Sequence, residues 1–340
     1  MIPKQQSCLR QPDKTSYICG LLLVVLLGLA SLRAVEVYAQ EVKRTPTVAL
    51  LNPAPPVPRF TQIIHATLRE LGYEPGRNVT YLERWAGGSE ERLHQYAAEL
   101  AQLKVDVIAV GTSAGVRAAV RATKTIPIVA VDMESDPVAS GWAASLARPG
   151  GNVTGFFLDQ PELSGKRLQQ LKEVIPQLTN VGILWDALLD RSALKATEAS
   201  ARALGLRVVV LEVQRPEEIP QAIDLAARKR VQAILMMQSP MLEVNAPQIA
   251  TLATERRLPV AGIFSFLAEG GFLLAYGPNV DELVVRCWKY VDRILKGEKP
   301  GDLPIQRPEK FDLVLNLKVA KALGIRFPQT LLVQADQVIR

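Results

Sequence analysis

Apolar runs of strand length alternate with helical patterns along most of this chain, and that alternation leaves few folds open. The runs fall at 48–52, 79–85, 105–111, 126–132, 153–157, 181–186, 207–213, 233–238, 259–264 and 272–277. Between most of them, apolar residues recur at helical spacing. Phe60, Ile63, Ile64, Thr67, Leu68 and Leu71 share one face, and Leu93, Tyr96, Ala97, Leu100 and Leu103 share another. Strands that are apolar throughout are buried on both faces, which is the mark of parallel sheets covered by helices on either side. About ten such strands are too many for one small sheet. The pattern predicts an α/β chain of two doubly wound parallel-sheet lobes. A seam is expected near 148–157, where "RPGGNVTGFF" places a proline and two glycines in the alternation.

Ahead of the alternation, Lys4, Arg10 and Lys14 precede the apolar run "LLLVVLLGLA", and Val37, Tyr38 and Ala39 follow it. Charge, short apolar core and small residues in that order predict a secretory signal peptide over 1–39. The run is short of the roughly 20 residues that span a bilayer, and no Cys follows it for lipid attachment. The expected destination is the periplasm or the exterior. Of a net charge of +6, the leader carries two, and the rest is spread without a Lys/Arg block. That argues against a nucleic-acid partner. Cys8 and Cys19 fall in the leader, which leaves Cys287 without a disulfide partner. It shares an apolar helical face with Val284, Trp288 and Val291, a core position.

Open α/β sheets bind ligands beyond the carboxyl ends of their strands. The groups that close these runs are therefore the candidate ligand contacts: Asn52, Thr112, Ser113, Asp132, Asp136, Trp185, Asp186, Ser239 and Phe264. The stretch "GTSAG" also fits the Gly-x-Ser-x-Gly pattern of a hydrolase elbow. An elbow of that kind needs a His later in the chain, yet His65 and His94 both precede Ser113, and Val116 stands where a Ser-x-x-Lys arrangement needs Lys. No catalytic residue is expected. The same turn opens a helix, so Thr112 and Ser113 either hold an anion at its positive end or simply cap it. In "VDMESDPV", Asp132 and Glu134 suit a ligand ammonium, and Asp136 suits the cap of a helix from Pro137. Trp185 and Phe264 serve as core or as an aromatic wall. Neither metal-ligand spacing nor a nucleotide-binding glycine motif is present, so no metal and no cofactor are expected.

Four stretches together resemble one family: "LRELGYEPGRNVTYLERWAGGSEERLHQYAAELAQLKVDVIAVGTSAGVRAAVRATKTIPIV", "DPVASGWAASLARPGGNVTGF", "EGGFLLAYGPN" and "PIQRPEKFDLVLNLKVAKALGI". They are similar to the ABC transporter substrate-binding proteins of tryptophan and tyrosine type, over about 47–340. The resemblance implies a type I periplasmic binding fold, with one lobe over 45–155 and 277–305 and the other over 156–276 and 306–340. It also implies hinge crossings at 153–157, 272–277 and 311–316. The ligand-facing turns it implies are Asn52-Pro53, Gly111-Thr112-Ser113 and Asp136-Pro137-Val138. The chain departs from the family pattern at Trp185-Asp186-Ala187, Ser239-Pro240 and Ser265-Phe266, where ligand choice is made. The expected function is an exported, monomeric receptor that hands a small ligand to the membrane permease of an ABC importer. The ligand would be a small carboxylate such as an aromatic amino acid. Its carboxylate would lie on Thr112 and Ser113, its ammonium near Asp132 or Asp186, and its apolar part against Trp185 and Phe264. The alternatives are a ligand sensor for a signalling partner and an exported serine hydrolase using Ser113.

Overall fold

Residues 44–158, 160–189 and 191–340 are described by the computed structural model, and the signal peptide expected over 1–39 lies outside them. The first sheet holds β1 (Thr47–Asn52), β2 (Thr80–Trp85), β3 (Val107–Val110), β4 (Ile128–Met133) and β5 (Val153–Phe157). Its order is β2-β1-β3-β4-β5, parallel throughout. The helices that follow its first three strands are α1 (Pro58–Glu70), α2 (Glu90–Gln102) and α3 (Thr112–Ala122). Each starts where the sequence marks a start. Pro58 opens α1 with its φ already helical, and the Ser89 hydroxyl caps α2 by accepting from Arg92 N–H.

The second sheet holds β6 (Asn180–Asp186), β7 (Arg207–Val213), β8 (Ala233–Met236), β9 (Val260–Gly262), β10 (Leu274–Pro278), β11 (Phe311–Asn316) and β12 (Gln337–Ile339), in the order β12-β11-β10-β9-β8-β6-β7. Its helices are α4 (Gln160–Val174), α5 (Arg191–Ala203), α6 (Ile219–Arg228), α7 (Pro240–Val244), α8 (Ala246–Glu255) and α9 (Ser265–Glu269). After β10 the chain returns to the first lobe as α10 (Val280–Leu295), which packs on β3, β4, β5 and α1. Val280, Leu283, Val284, Cys287, Trp288, Val291 and Ile294 recur at helical spacing and are all buried there. The chain then re-enters the second lobe through β11 and ends in α11 (Leu317–Leu323), α12 (Gln329–Gln334) and β12.

Two corrections to the sequence reading follow. The second sheet is not wholly parallel, because β11 runs antiparallel to β10. The excursion through α10 brings the chain back from the opposite lobe, so β11 enters the sheet in reverse. The stretch after Asp136 is a turn and not a helix: Ser140 N–H bonds to Asp136 O and Trp142 N–H to Pro137 O.

Residues 303–306, between α10 and β11, lie beside β5. Gln306 N–H bonds to Gly155 O, and Phe157 N–H bonds to Gln306 O, so the segment leading from α10 to β11 is laced to β5 by an isolated bridge. Thr154 Oγ1 adds a bond to Leu303 O at 2.8 Å. Gly155 is required here. Its φ is +130°, and an added Cβ would overlap the Ala130 carbonyl.

Candidate functional site

The carboxyl ends of β1, β3 and β4 face those of β8 and β9 across the cleft between lobes. A cavity of about 320 Å³ lies in that cleft. The first lobe lines it with Asn52, Phe60, Trp85, Thr112 and Asp132, α10 adds Val280, Val284 and Trp288, and the second lobe closes it with Pro240, Glu243, Phe264 and Phe266. Phe264 and Phe266 stack at 5.6 Å with an interplanar angle of 24°. A smaller cavity of about 40 Å³ lies beyond Thr112 and Pro240, between Ser113, Arg117, Glu134, Trp185, Ser192 and Gln238.

The turn that opens α3 is already occupied by the chain's own acids. Thr112 N–H donates to Asp132 Oδ1 at 2.9 Å, and Ser113 N–H donates to Glu134 Oε2 at 2.6 Å. The positive end of the helix is thus satisfied by carboxylates from the end of β4. The arrangement leaves Thr112 with a φ of +60°, an uncommon conformation for a β-branched residue. Ser113 is buried, and its Oγ accepts from the N–H groups of Glu134 and Ser135, both at 2.9 Å. Its hydroxyl therefore braces the turn. His65 is exposed on α1, and the Ser113 hydroxyl is engaged by the Glu134 and Ser135 amides and by the Glu134 carboxyl, which ties it into the turn.

A hydrogen bond crosses the cleft: Gln238 Nε2, after β8, donates to Asp132 Oδ2 at 2.8 Å. At the rim, Arg59 of α1 stands 3.8 Å from Glu269 of α9. Arg59 is held mainly by Asp281, with Nη2 at 2.7 Å and Nε at 3.2 Å.

Three acids share this region at close quarters. Burial, and then the charge of Glu134, push the Asp132 carboxyl up to about 8 against the bonds it accepts from Thr112 and Gln238. Burial also raises Glu134, against the bonds from Ser113 and the charge of Arg117. Glu243 is raised well above the usual carboxylate range, by burial first and then by the charges of Asp132 and Glu134. Its Oε1 is sealed from solvent and has no hydrogen-bond partner. Trp288 is fully buried, and its Nε1 likewise has none. Cys287, beside it on α10, is pushed upward by burial and then by Asp132, so its thiol stays protonated.

The residues expected from sequence therefore separate. Asn52, Thr112, Asp132 and Phe264 line the large cavity, whereas Ser113 and Trp185 line the small one. Trp185 and Phe264 line different cavities, which meet at Thr112 and Pro240. Asp186, Ser239 and Asp136 line neither cavity. Asp186 Oδ2 accepts from Ser239 Oγ at 2.6 Å, and Ser239 in turn caps α7 by accepting from Leu242 N–H. Asp136 accepts from the N–H groups of Val138 and Ala139 at the protein surface. Phe266, marked in the sequence only as a departure from the family pattern, lines the large cavity, and Glu243, Trp85, Phe60 and Trp288 line it without having been expected there. Glu243 stands in the first turn of a helix that follows a strand end, a signal the sequence does carry. Trp288 reads only as one more apolar residue of α10.

A family profile described as ABC transporter substrate binding protein matches residues 55–339. A tyrosine-binding protein of Clostridioides difficile (strain R20291) is 24% identical over 261 residues, covering 76% of this chain and 74% of that protein. Among solved structures, an ABC domain from Streptococcus pneumoniae in complex with L-Trp superposes with a TM-score of 0.80 at 24% identity, over 87% of this chain and 100% of the other. A ligand-free, open substrate binding protein with adhesive properties from Clostridium difficile superposes with a TM-score of 0.62 at 24% identity, over 87% and 99%.

Proposed function

Because this chain belongs to the family of ABC transporter substrate-binding proteins, a family of binding proteins and not of enzymes, we propose that it is the exported receptor of an ABC importer. One chain holds one small ligand between its lobes and presents the closed form to a membrane permease. The observation that carries this reading is the cavity of about 320 Å³, whose walls come from both lobes. Its volume is at the small end of the range for ligand pockets, about 300–1,000 Å³. A cavity with walls from both lobes is complete only when the lobes are together, so a ligand inside it favours the closed form over the open one. Its aromatic walls suit a guest with a flat apolar body, in keeping with the tyrosine and tryptophan named for the relatives. Export is supported by the leader pattern of the sequence. Among the described residues no helix is long and apolar enough to cross a membrane.

A thermal-shift screen against amino acids, aromatic acids and aromatic amines tests the proposal. A ligand at about 100 times its dissociation constant adds roughly 2.7 kcal/mol, a melting shift of several degrees for a chain of this size. Small-angle scattering should show a more compact particle with the same compound. No shift and no compaction with any member of the panel would refute the reading.

A further inference from the structure

A third cavity lies where the chain passes between the two sheets. Its volume is about 690 Å³, inside the usual range for ligand pockets of about 300–1,000 Å³. It shares no lining residue with either cavity of the cleft. Each passage between sheets brings it an aromatic ring. Phe157 ends β5, Tyr276 lies in β10 before the chain leaves for α10, and Phe311 opens β11 on the return. Helix α4 supplies a further wall, with Glu162 and Lys166 on it.

The rings offer a flat guest a place to lie. Tyr276 and Phe311 stack at 6.0 Å with an interplanar angle of 14°. Phe311 keeps 37% of its surface exposed, although it is a large apolar side chain. A ring laid against that stack covers surface that folding leaves wet. The charges around the cavity are unequal. Arg307 Cζ lies 5.8 Å from the centroid of the Phe157 ring, and its Nη1 stands 3.9 Å from Glu162 Oε2, so it answers the acid on the wall. Asp336, whose charge reaches Tyr276, accepts from Leu313 N–H. Lys166 lies one turn beyond Glu162 and is exposed, and it has neither a hydrogen bond nor an ion pair among the described residues. With Glu162 met by Arg307, the charge left for a guest is that of Lys166. Burial, and then the charges of Glu162 and Asp336, raise the Tyr276 hydroxyl, which keeps it protonated and a donor.

We infer that this cavity is a second ligand site, for a flat aromatic acid whose ring lies against Tyr276 and Phe311 and whose acidic group lies on Lys166. The site is separate from the cleft, since no side chain lines both. A guest that fills it touches β5, β10 and β11, the strands at which the chain changes sheet.

The test titrates naphthoate and naphthylmethylamine into the full chain by calorimetry, with Lys166→Gln and Phe311→Ser as variants. Naphthoate should bind about ten-fold or more tightly than the amine. Lys166→Gln should weaken naphthoate about five-fold, the scale of an exposed charge pair, and narrow its margin over the amine. Phe311→Ser should weaken naphthoate about ten-fold through the lost ring contact. No binding of naphthoate, or an amine that binds as tightly, would overturn the inference. A naphthoate affinity unchanged in Lys166→Gln, or in a folded Phe311→Ser variant, would place the probe elsewhere and overturn it too. Lys166 is exposed, so Lys166→Gln decides even where Phe311→Ser does not fold. The receptor reading is decided separately, by the thermal-shift screen and the compaction that accompanies it.

Discussion

Replacing Asp132 by Asn isolates the electrostatic cost of the closed cleft. The Asp132 carboxyl rises from 3.8 to about 8 on folding, so the folded chain holds this proton more tightly than the unfolded chain does. The stability that the proton supplies is whole below pH 3.8 and is lost as the pH climbs to about 8. Each unit of difference is worth about 1.4 kcal/mol. Between about pH 5.5 and 7.5 the empty wild-type protein should therefore lose on the order of 2–3 kcal/mol through this group. Glu134 and Glu243, both raised, act in the same direction, and Arg117 opposes through Glu134. The Asp132→Asn variant still offers an acceptor to Thr112 N–H and does not titrate. At about 2 °C per kcal/mol, the melting point of the variant should gain on that of the wild type by about 5 °C over this pH range. Differential scanning fluorimetry of both proteins without ligand, at constant ionic strength, measures the gap. A gap that stays fixed or narrows as the pH rises would refute the reasoning.

Other perturbations test other parts of the frame. Gln238→Leu removes the bond that crosses the cleft to Asp132, worth about 1 kcal/mol. The radius of gyration of the empty protein should rise, and unchanged scattering would mean that the bond does not hold the lobes. Gly155→Ala sets a Cβ against the Ala130 carbonyl at a φ that L residues avoid, and should cost roughly 3 kcal/mol or more in urea denaturation. Thr112→Gly relieves the left-handed backbone and should raise empty-state stability by about 1 kcal/mol in the same assay. A loss there would show that the Thr112 side chain anchors the turn.

The fold was legible because burial on both faces of a parallel sheet writes itself into continuous apolar runs, as at 48–52 and 181–186. What lay beyond those runs was less so. The sequence marks β11 only as a crossing segment, since its antiparallel pairing with β10 depends on a return through α10 that no local pattern encodes. Strand ends are where ligand contacts are expected, and Asn52, Thr112, Asp132 and Phe264 do line the large cavity. Asp186 and Ser239 sit at equally good positions but spend their polar atoms on each other. Strand-end position tells which residues face the cleft edge. It does not tell which of them are already bonded. Glu243 and Trp288 come from helices whose apolar or capping patterns conceal a second use.

The acids seated on the first turn of α3 give the frame a switchable polarity. The helix end is an anion seat by construction, and the chain stoppers it with two side chains from the tip of a single strand. Trading Asp132 and Glu134 for neutral residues would unstopper that seat without disturbing either sheet. Neutral residues at these two positions, at the tip of β4 and just beyond it, would leave the first two amides of α3 free to accept an anion from a ligand.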